Sequence, residues 1–271
     1  MELTNDERQR LAATFDASAA FYDDVRPGYP DALFEDLVRL ADMPAGGRIL
    51  EIGCGTGKAT APLARRGYRM LCLEPGANLA AVAREKLAEF PLVEVAGGSF
   101  EDWATERGAF DLVMAATSIA WVDPAVRYAK AAEALRPGGC LAVFWNAHVR
   151  LLGEDRFWEV VQDVYRAHAP HMVGAPLLVE ELPVRVEPTV IETGRFEEVA
   201  VRHYPWTETY DTRRYLQLMG TFSNHIDLPD GTRERLFADI ATLIDREFGG
   251  RVVKHQVAVL QVARRSGGIL R

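Results

Sequence analysis

Between residues 46 and 146 the sequence alternates short apolar runs with segments of helical periodicity. This alternation is typical of βαβ units, in which helices join parallel strands and cover the faces of the sheet. We predict strands at residues 48–52, 68–74, 92–96, 110–116 and 141–145. Two connecting segments place their apolar residues on one helix face: Leu79, Val82, Ala83, Leu87 and Phe90, and then Val126, Ala129, Ala132 and Leu135. The sequence therefore predicts an α/β domain, whose ligand would bind outside the carboxyl ends of the strands.

The regular alternation ends after Asn146. The later sequence predicts a helix at 151–169, an irregular proline-containing stretch at 170–194, a strand at 196–204, helices at 213–222 and 232–248, and a strand at 252–262. Glycine and proline mark breaks at Gly67, at Pro137-Gly138-Gly139, which should end the last crossover, and at Gly249-Gly250.

Composition and charge restrict the class of partner. The chain has 271 residues, 48% of them apolar and 26% charged, which is the composition of an ordinary folded domain with a buried core. Its net charge of −8 disfavours a nucleic-acid partner. Cys54, Cys72 and Cys140 lack the paired spacing of a zinc site, so we expect no metal. The N-terminus carries no apolar targeting segment, and we expect a cytoplasmic protein with no membrane contact.

The strongest local signal is the segment ILEIGCGTGKAT at residues 49–60, in which an apolar strand leads into a glycine-rich turn and a helix start. Glycines allow the turn to bend sharply and the backbone to approach a ligand closely. A phosphate-binding P-loop would need glycine and a hydroxyl residue where Ile52 and Ala59 stand. A dinucleotide-binding loop would need its third glycine at Lys58. Neither of these nucleotide classes fits the spacing.

The remaining ligand class is a nucleoside joined to an amino acid, S-adenosylmethionine (SAM). The segment resembles motif I of the class I SAM-dependent methyltransferases, of the small-molecule, type 11-like kind. The resemblance continues in the family's order through Glu74, GSFEDW at 98–103, FDLVMAATSIAWVDP at 110–124 and LRPGGCLAVFWN at 135–146. It implies a Rossmann-like, mostly parallel seven-stranded sheet of order 3-2-1-4-5-7-6, with the last strand antiparallel and helical additions that cap the substrate. It also implies in-line transfer of methyl from SAM to a small organic acceptor, leaving S-adenosylhomocysteine (SAH).

With this resemblance the chain divides into four parts. They are an N-terminal lid (1–36), a SAM-binding core (37–148), a substrate-cap insertion (149–194) and a C-terminal part (195–271), whose strands complete the sheet and whose helices at 211–248 add to the cap.

The resemblance also implies which residues hold the cofactor. Glu74 would bind both ribose hydroxyls, because a carboxylate at a strand end can accept two hydrogen bonds there. Ser99 and Phe100 would flank the adenine, and Glu51 would orient either the loop or the amine of the ligand. Cys54 is predicted to fit the turn rather than to act as a nucleophile. The predicted cofactor contacts in the turn and strand ends are completed by Gly53, Gly55, Gly57, Pro75 and Thr117.

The N-terminal segment FDASAAFYDDVRPGYP is similar to the part of this family that closes over the cofactor. Tyr22 and Tyr29 would present hydroxyls, and Arg26 would present a guanidinium fork to the methionine carboxylate. Arg26 would alternatively pair at the surface with one of the aspartates that precede it. We expect the segment to act as a lid.

Because the methyl group of SAM is already activated, the catalytic residues are expected mainly to orient the acceptor and exclude water. Many relatives carry a histidine where this chain has Ala120, so the obvious base is missing. His148 and His225 are the other candidate bases, although a histidine is more often structural than catalytic. Trp121 would form an aromatic wall facing the sulfonium or belong to the core.

The acceptor pocket is expected to form from the poorly patterned parts of the chain. Its candidate lining residues, most of which should nevertheless belong to the core, are Trp158, Tyr165, Trp206, Tyr210, Met219 and Phe222. Two alternatives stay open within the fold: methylation of protein or RNA, which needs a basic or extended groove, and binding of SAM without methyl transfer. A nicotinamide-dependent oxidoreductase is the alternative outside it. The sequence leaves the oligomeric state, including a homodimer, undecided.

Overall fold

The computed structural model describes residues 16, 23, 25–151 and 155–267. Its α-helices are α1 (Asp31–Leu40), α2 (Thr60–Ala64), α3 (Ala77–Leu87), α4 (Arg127–Ala134), α5 (Arg156–His168), α6 (Pro188–Glu192), α7 (Thr212–Met219), α8 (Ser223–Ile226) and α9 (Asp230–Glu247). Its strands are β1 (Arg48–Ile52), β2 (Arg69–Glu74), β3 (Val93–Gly97), β4 (Phe110–Ala116), β5 (Leu135–His148), β6 (Phe196–Asp211) and β7 (Arg251–Arg265). No helix within the described ranges is both long and apolar enough to cross a membrane.

The strands form a seven-stranded sheet of order β3-β2-β1-β4-β5-β7-β6. Strands β1 to β5 are all parallel to one another. Strand β7 runs antiparallel to both β5 and β6. The predicted Rossmann-like order and the antiparallel last strand are therefore confirmed.

Helices cover both faces of the sheet, as the alternating sequence predicts. Ile49 and Leu50 are adjacent on β1 and point to opposite faces, because successive side chains of a strand alternate. Ile49 packs in a buried cluster with Phe34 of α1. Leu50 packs in a second cluster with Ala131 of α4. With both faces covered, the carboxyl edge of the parallel strands is the place where a ligand can approach the sheet.

Strand β5 begins earlier than predicted. Leu135 already pairs with Phe110 of β4, whereas the next pair is Cys140 with Leu112, so the register shifts between them. The Pro137-Gly138-Gly139 segment lies within this irregular part of β5. The predicted break before the strand is therefore wrong, because the pairing with β4 accommodates the turn-forming residues as an interruption of register.

Strands β6 and β7 form a hairpin of 16 and 15 residues, each longer than predicted. Strand β5 ends at His148, which pairs with Gln256 of β7, so the hairpin continues past the carboxyl edge of the parallel sheet. Helices α7, α8 and α9 are inserted between its two strands. Tyr215 of α7, Leu236 of α9 and Val161 of α5 belong to one apolar cluster, which is the core of a helical cap over this edge.

The segment predicted as the cap insertion divides between two places. Phe157 of α5 packs in the cap cluster. Val186 and Val190 instead pack with the cluster on the α4 face of the sheet. Only the first part of residues 149–194 therefore contributes to the cap.

Candidate functional site

A cavity of about 870 Å³ lies at the carboxyl ends of β1, β2, β4 and β5 and extends beneath the cap. Its volume lies within the roughly 300–1,000 Å³ of ligand pockets. The predicted site residues that line it are Arg26, Gly53, Cys54, Gly55, Glu74, Pro75, Ser99, Phe100, Thr117, Trp121 and His148. Glu51, Gly57 and His225 are not among the lining residues. Tyr22 lies outside the described residues.

The glycine turn after β1 leaves part of its backbone open to this cavity. Gly53, Gly55 and Gly57 have φ values of +66°, +56° and +84°, which favour glycine. A Cβ atom on Gly53 would lie 2.8 Å from Cβ of Ser118, and one on Gly57 would lie 2.9 Å from Cδ1 of Leu87. A Cβ atom on Gly55 would meet nothing within 4 Å. The turn is thus closely packed at its ends and open at its centre.

Glu74 ends β2 beside this turn and is only 5% exposed. Its Oε2 accepts a hydrogen bond from the N–H of Gly55 at 2.8 Å, and its Oε1 accepts one from the N–H of Gly76 at 2.9 Å. Burial raises the pKa of Glu74 above its usual value, although the two backbone hydrogen bonds act to lower it. Each carboxylate oxygen has a second lone pair. The side chain that orders the turn can therefore also accept hydroxyl groups from a ligand.

Glu51 lies behind the turn and is completely buried. Its Oε2 accepts a hydrogen bond from Oγ1 of Thr60, at the start of α2, at 2.7 Å. Its Oε1 has no hydrogen-bond partner among the described residues. Burial raises the pKa of Glu51 to about 8, and the nearby charge of Glu74 acts in the same direction. Of its two predicted roles, this placement favours orientation of the loop over direct contact with a ligand amine.

Ser99 and Phe100 lie together at the cavity wall after β3. The ring of Phe100 stacks on Trp103, with centroids 6.2 Å apart. Oγ of Ser99 donates to Oδ2 of Asp102 at 2.8 Å and accepts from the N–H of Asp102 at 3.1 Å. The hydroxyl hydrogen of Ser99 is thus used within the turn, and an adenine contact through it would require that bond to break.

Thr117 follows β4 with φ of +60°, a conformation that is rare for a β-branched residue. Its Oγ1 forms a hydrogen bond of 2.7 Å with the hydroxyl of Tyr29, and its N–H donates to O of Phe144 at 2.8 Å. Backbone strain of this kind costs about 1–3 kcal/mol and concentrates at ligand sites. The strain therefore singles out Thr117 within the cavity wall, and Tyr29 beside it comes from the predicted lid.

Two described aspartates join the N-terminal segment to the rim of the cavity. Asp23 accepts hydrogen bonds from Oγ1 of Thr56 at 2.6 Å and from Nζ of Lys86 at 2.8 Å. Asp16 accepts from two backbone N–H groups in the first turn of α3, at 2.9 and 3.0 Å, as a helix-capping residue does. These contacts place Asp16 and Asp23 beside the rim of the cavity, and the role of the segment as a lid stays a prediction.

We expect Asp23→Asn to lower the free energy of unfolding by about 1 kcal/mol at pH 7. Burial raises the pKa of Asp23, but the hydrogen bonds with Lys86 and Thr56 and the charge of Lys58 outweigh it, so the pKa is lowered. The stabilisation should accordingly be complete above pH 3.8, the ordinary value, and should disappear as the pH falls below it. Urea denaturation of both proteins between pH 3 and pH 7 measures this difference. A pH-independent difference, or an equal effect of Glu89→Gln at an exposed acid, would contradict the assignment.

Arg26, which belongs to the predicted lid, contacts the cap. Its Nε donates to Oγ1 of Thr221 at 2.8 Å, and its Nη2 donates to the main-chain O of Thr221 at 2.7 Å. The guanidinium lies over the ring of Phe222, 4.5 Å from the centroid. Arg26 therefore brings a positive charge to the part of the cavity that lies beneath the cap.

The two candidate bases occupy different surroundings. His148 lines the cavity, and burial together with the charges of Lys254 and His255 lowers its pKa to about 2. His225 is held in the cap, with Nε2 2.8 Å from the hydroxyl of Tyr165. Burial lowers the pKa of His225 to about 4. Both rings are therefore neutral near pH 7 and resist protonation, and the catalytic role of each stays a prediction.

Polar residues that the sequence analysis missed line the cavity beneath the cap. They include Asn146, Asn224, Lys254 and Gln256. Lys254 and Gln256 lie on β7 at alternating positions, so they share one face with residues that are otherwise apolar. Polar residues on an otherwise apolar strand face were the sequence pattern that could have identified them.

Residues 49–139 match the methyltransferase domain family. This match covers the glycine turn, Glu74 and the strained turn at Thr117, and the sheet has the strand order that the resemblance implies. Residues 49–139 therefore form a methyltransferase domain, within a sheet of the class I strand order.

Several proteins that are similar to parts of this chain are named methyltransferases. An uncharacterized methyltransferase of Mycobacterium tuberculosis is 32% identical over 147 residues, which are 54% of this chain and 57% of the relative. The match thus spans little more than half of that relative. A trans-aconitate 2-methyltransferase of Deinococcus radiodurans is 32% identical over 97 residues, 35% of this chain and 36% of the relative. A solved structure from Anaeromyxobacter dehalogenans, provisionally named a type II methyltransferase, has a TM-score of 0.62 at 24% identity and covers 90% of this chain and 99% of its own.

The site fits the cofactor that this family uses. The open space above Gly55 gives a ligand access to the backbone of the turn. The Glu74 carboxylate at the end of β2 offers acceptors to a diol, and the apolar ring of Phe100 offers a wall to a flat base. Donor groups, acceptor groups and space are thus present where a nucleoside joined to an amino acid would lie.

Proposed function

We propose that this methyltransferase transfers the methyl group of SAM to a small organic acceptor. The observation that carries the proposal is the continuity of the cavity, which runs from the glycine turn and Glu74 to Phe222 and Lys254 beneath the cap. Donor and acceptor would share one space of about 870 Å³. The trans-aconitate 2-methyltransferase of Deinococcus radiodurans, by its name, acts on a small organic acid, which supports the same class of acceptor.

In this proposal Glu74 holds the ribose, Phe100 lies against the adenine, and the turn at Gly53 and Gly55 faces the methionine part. SAM, when bound, supplies a methyl group that is already activated on a sulfonium. The lid and the cap orient the acceptor and exclude water. Orientation of this kind is worth about 7–11 kcal/mol of a reaction barrier. Because His148 resists protonation, the proposal does not depend on a histidine base.

Two alternatives make different demands on the site. A protein or RNA substrate would need an extended or basic groove, whereas the cap helices α7 and α8 contribute Leu218, Ser223 and Asn224 to the cavity lining. A protein that binds SAM without methyl transfer would have the same cofactor contacts and would produce no SAH. Cytoplasmic location, the homodimer and the domain boundaries stay predictions.

The proposal is tested by incubating the purified protein with SAM carrying a labelled methyl group and a panel of small acceptors that includes trans-aconitate. We expect SAH to form in proportion to a labelled small product. Calorimetry with SAH reports on the cofactor site separately. Absence of heat with both SAM and SAH would remove the cofactor assignment, and cofactor binding without label transfer to any acceptor would favour the non-transferring alternative.

We expect Glu74→Gln to weaken SAH binding by about 1.5–3 kcal/mol, roughly 10-fold to 150-fold, because charge-assisted hydrogen bonds to the ribose are lost. The backbone N–H groups of Gly55 and Gly76 also lose a charged acceptor, so the turn should become less ordered. Isothermal calorimetry measures the affinity, and Glu94→Gln, at an exposed acid on the neighbouring strand, is the matched control. An unchanged affinity in a folded Glu74→Gln protein would exclude the ribose role.

A further inference from the structure

One face of β7 carries a row of buried side chains that is interrupted by two polar residues. Val252, Ala258 and Leu260 in this row are apolar, whereas Lys254 and Gln256 between them are polar. The interruption falls where β7 passes the end of β5, since Gln256 pairs with His148. Lys254 and Gln256 therefore enter the cavity from the strand beneath the cap.

Lys254 is 8% exposed, which is unusual for an ammonium group. Among the described residues this ammonium has no hydrogen-bond or ion-pair partner, and its close neighbours are the rings of Phe222 at 5.4 Å and Tyr215 at 5.8 Å. The acid opposite Lys254 on β6 is bound to another residue. Glu208 pairs with Lys254 in the register of β6 and β7, but its carboxylate binds Nη1 of Arg214 at 2.8 Å.

A second positive charge lies at the same place. The guanidinium of Arg26 and the ammonium of Lys254 both lie against the ring of Phe222, at 4.5 and 5.4 Å from its centroid. The chain as a whole has a net charge of −8, so this concentration of positive charge is a local feature of the cavity. Like charges brought together away from water are unfavourable unless an anion joins them.

We infer that Lys254 binds a carboxylate of the methyl acceptor, with Arg26 adding positive charge beside it, so that the acceptors are small organic acids. This inference rests on the proposed function. A carboxylate in contact with the ammonium would supply the acceptor that the described residues lack, in a cavity where the low dielectric strengthens the attraction. The aromatic walls at Phe222 and Trp121 would surround the apolar part of the same molecule.

The carboxylate of SAM itself is the other source of the same chemistry. Glu74, the proposed ribose contact, ends β2, whereas Lys254 lies on β7, four strand positions away in the sheet. Lys254 lies 5.4 Å from the ring of Phe222, in the part of the cavity that the proposed function gives to the acceptor. The acceptor is therefore taken as the partner of Lys254, and the two sources make different predictions for SAH binding.

The experiment compares wild type with Lys254→Met, Lys254→Arg and Arg251→Met by isothermal calorimetry. Arg251→Met removes the same charge from an exposed position of the same strand. The ligands are SAH and three pairs of an acid with its neutral amide, namely benzoate and benzamide, hexanoate and hexanamide, and succinate and succinamide. Each pair is titrated with and without SAH, and circular dichroism verifies that every variant is folded.

We expect at least one acid to bind wild type about tenfold or more tightly than its amide, because a hydrogen bond to a charged group is lost in the amide. Lys254→Met should abolish this preference, whereas Lys254→Arg and Arg251→Met should keep it, and SAH affinity should be equal in all four proteins. Equal binding of acids and amides, binding of no acid, or an undiminished preference in Lys254→Met would overturn the inference. Weaker SAH binding by Lys254→Met would assign the lysine to the cofactor instead. Failure of wild type to bind SAH would remove the proposed function, while the titrations without SAH would still decide the role of Lys254.

Discussion

Gly53→Ala is expected to lower the free energy of unfolding by about 2–5 kcal/mol. The left-handed backbone at Gly53, with φ of +66°, accounts for about 1–2 kcal/mol of this loss in a residue with a Cβ atom. The rest comes from the added methyl, which would lie 2.8 Å from Cβ of Ser118 and force one of the two strand ends to shift, an overpacking cost of about 1–3 kcal/mol. Urea denaturation followed by circular dichroism measures the loss.

Gly55→Ala separates the two contributions. Gly55 has φ of +56°, but its added methyl would meet no atom within 4 Å, so only the backbone cost of about 1–2 kcal/mol is expected. Its methyl would project into the open centre of the turn, where SAH is proposed to bind. Gly55→Ala should therefore reduce the free energy of SAH binding by more than it reduces the free energy of unfolding. Equal stability losses for the two variants would mean that the contact with Ser118 is relieved at no cost, contrary to this account.

Lys254→Met should raise the stability of the ligand-free protein at pH 7 by up to about 3 kcal/mol. Burial lowers the pKa of Lys254 from 10.5 to about 8, and the charge of Arg26 acts in the same direction, whereas Asp155 opposes it. Each pKa unit corresponds to about 1.4 kcal/mol. Methionine fills a similar volume without a charge, so the variant avoids this cost. A gain in stability at the expense of a binding function is a common trade at functional sites.

The pH dependence of this stability difference tests whether the charge of Lys254 causes it. Since the folded state holds the proton of Lys254 less tightly than the unfolded state, the stability of wild type should rise relative to the variant between pH 8 and pH 10.5. The advantage of Lys254→Met should therefore be constant below pH 8 and shrink through that window. The ionisable neighbours Arg26, His148, Asp155 and His255 are present in both proteins, so their own contributions to the pH dependence largely cancel in the comparison. A stability difference that stays constant to pH 10.5 would show that the charge of Lys254 does not cause it.

The cofactor half of the site was predictable because its residues are close together in the sequence. The turn at Gly53 and Gly55 follows β1 directly, and Glu74 ends the next strand, so the βαβ geometry alone brings them to one edge. The spacing of residues in the sequence did not predict the hydrogen bonds or backbone angles within individual turns. The bond between Ser99 and Asp102 and the positive φ of Thr117 depend on how each turn is held by its surroundings.

The acceptor half was predicted poorly because helical periodicity does not tell which side of a cap helix faces a cavity. Of the six candidate lining residues, Tyr210 and Phe222 line the cavity, and the other four pack in apolar clusters, as was expected for most of them. Trp158, Tyr165 and Met219 pack within the cap cluster, and Trp206 packs against the cluster on the α1 face of the sheet. Lys254 lay within a predicted strand, but its neighbours in space come from distant segments, so its isolation was visible only after folding.

In the proposed function, most contacts to the donor and most contacts to the acceptor come from separate stretches of the sequence. The methyl donor would be gripped by residues encoded before position 140, and its chemical partner largely by residues encoded after position 145. Replacement of the residues from β6 through β7, which include Lys254, would then change much of the acceptor pocket and leave the proposed donor contacts unchanged. Related enzymes with different acceptors would then be expected to differ mainly in the helices that join these two strands.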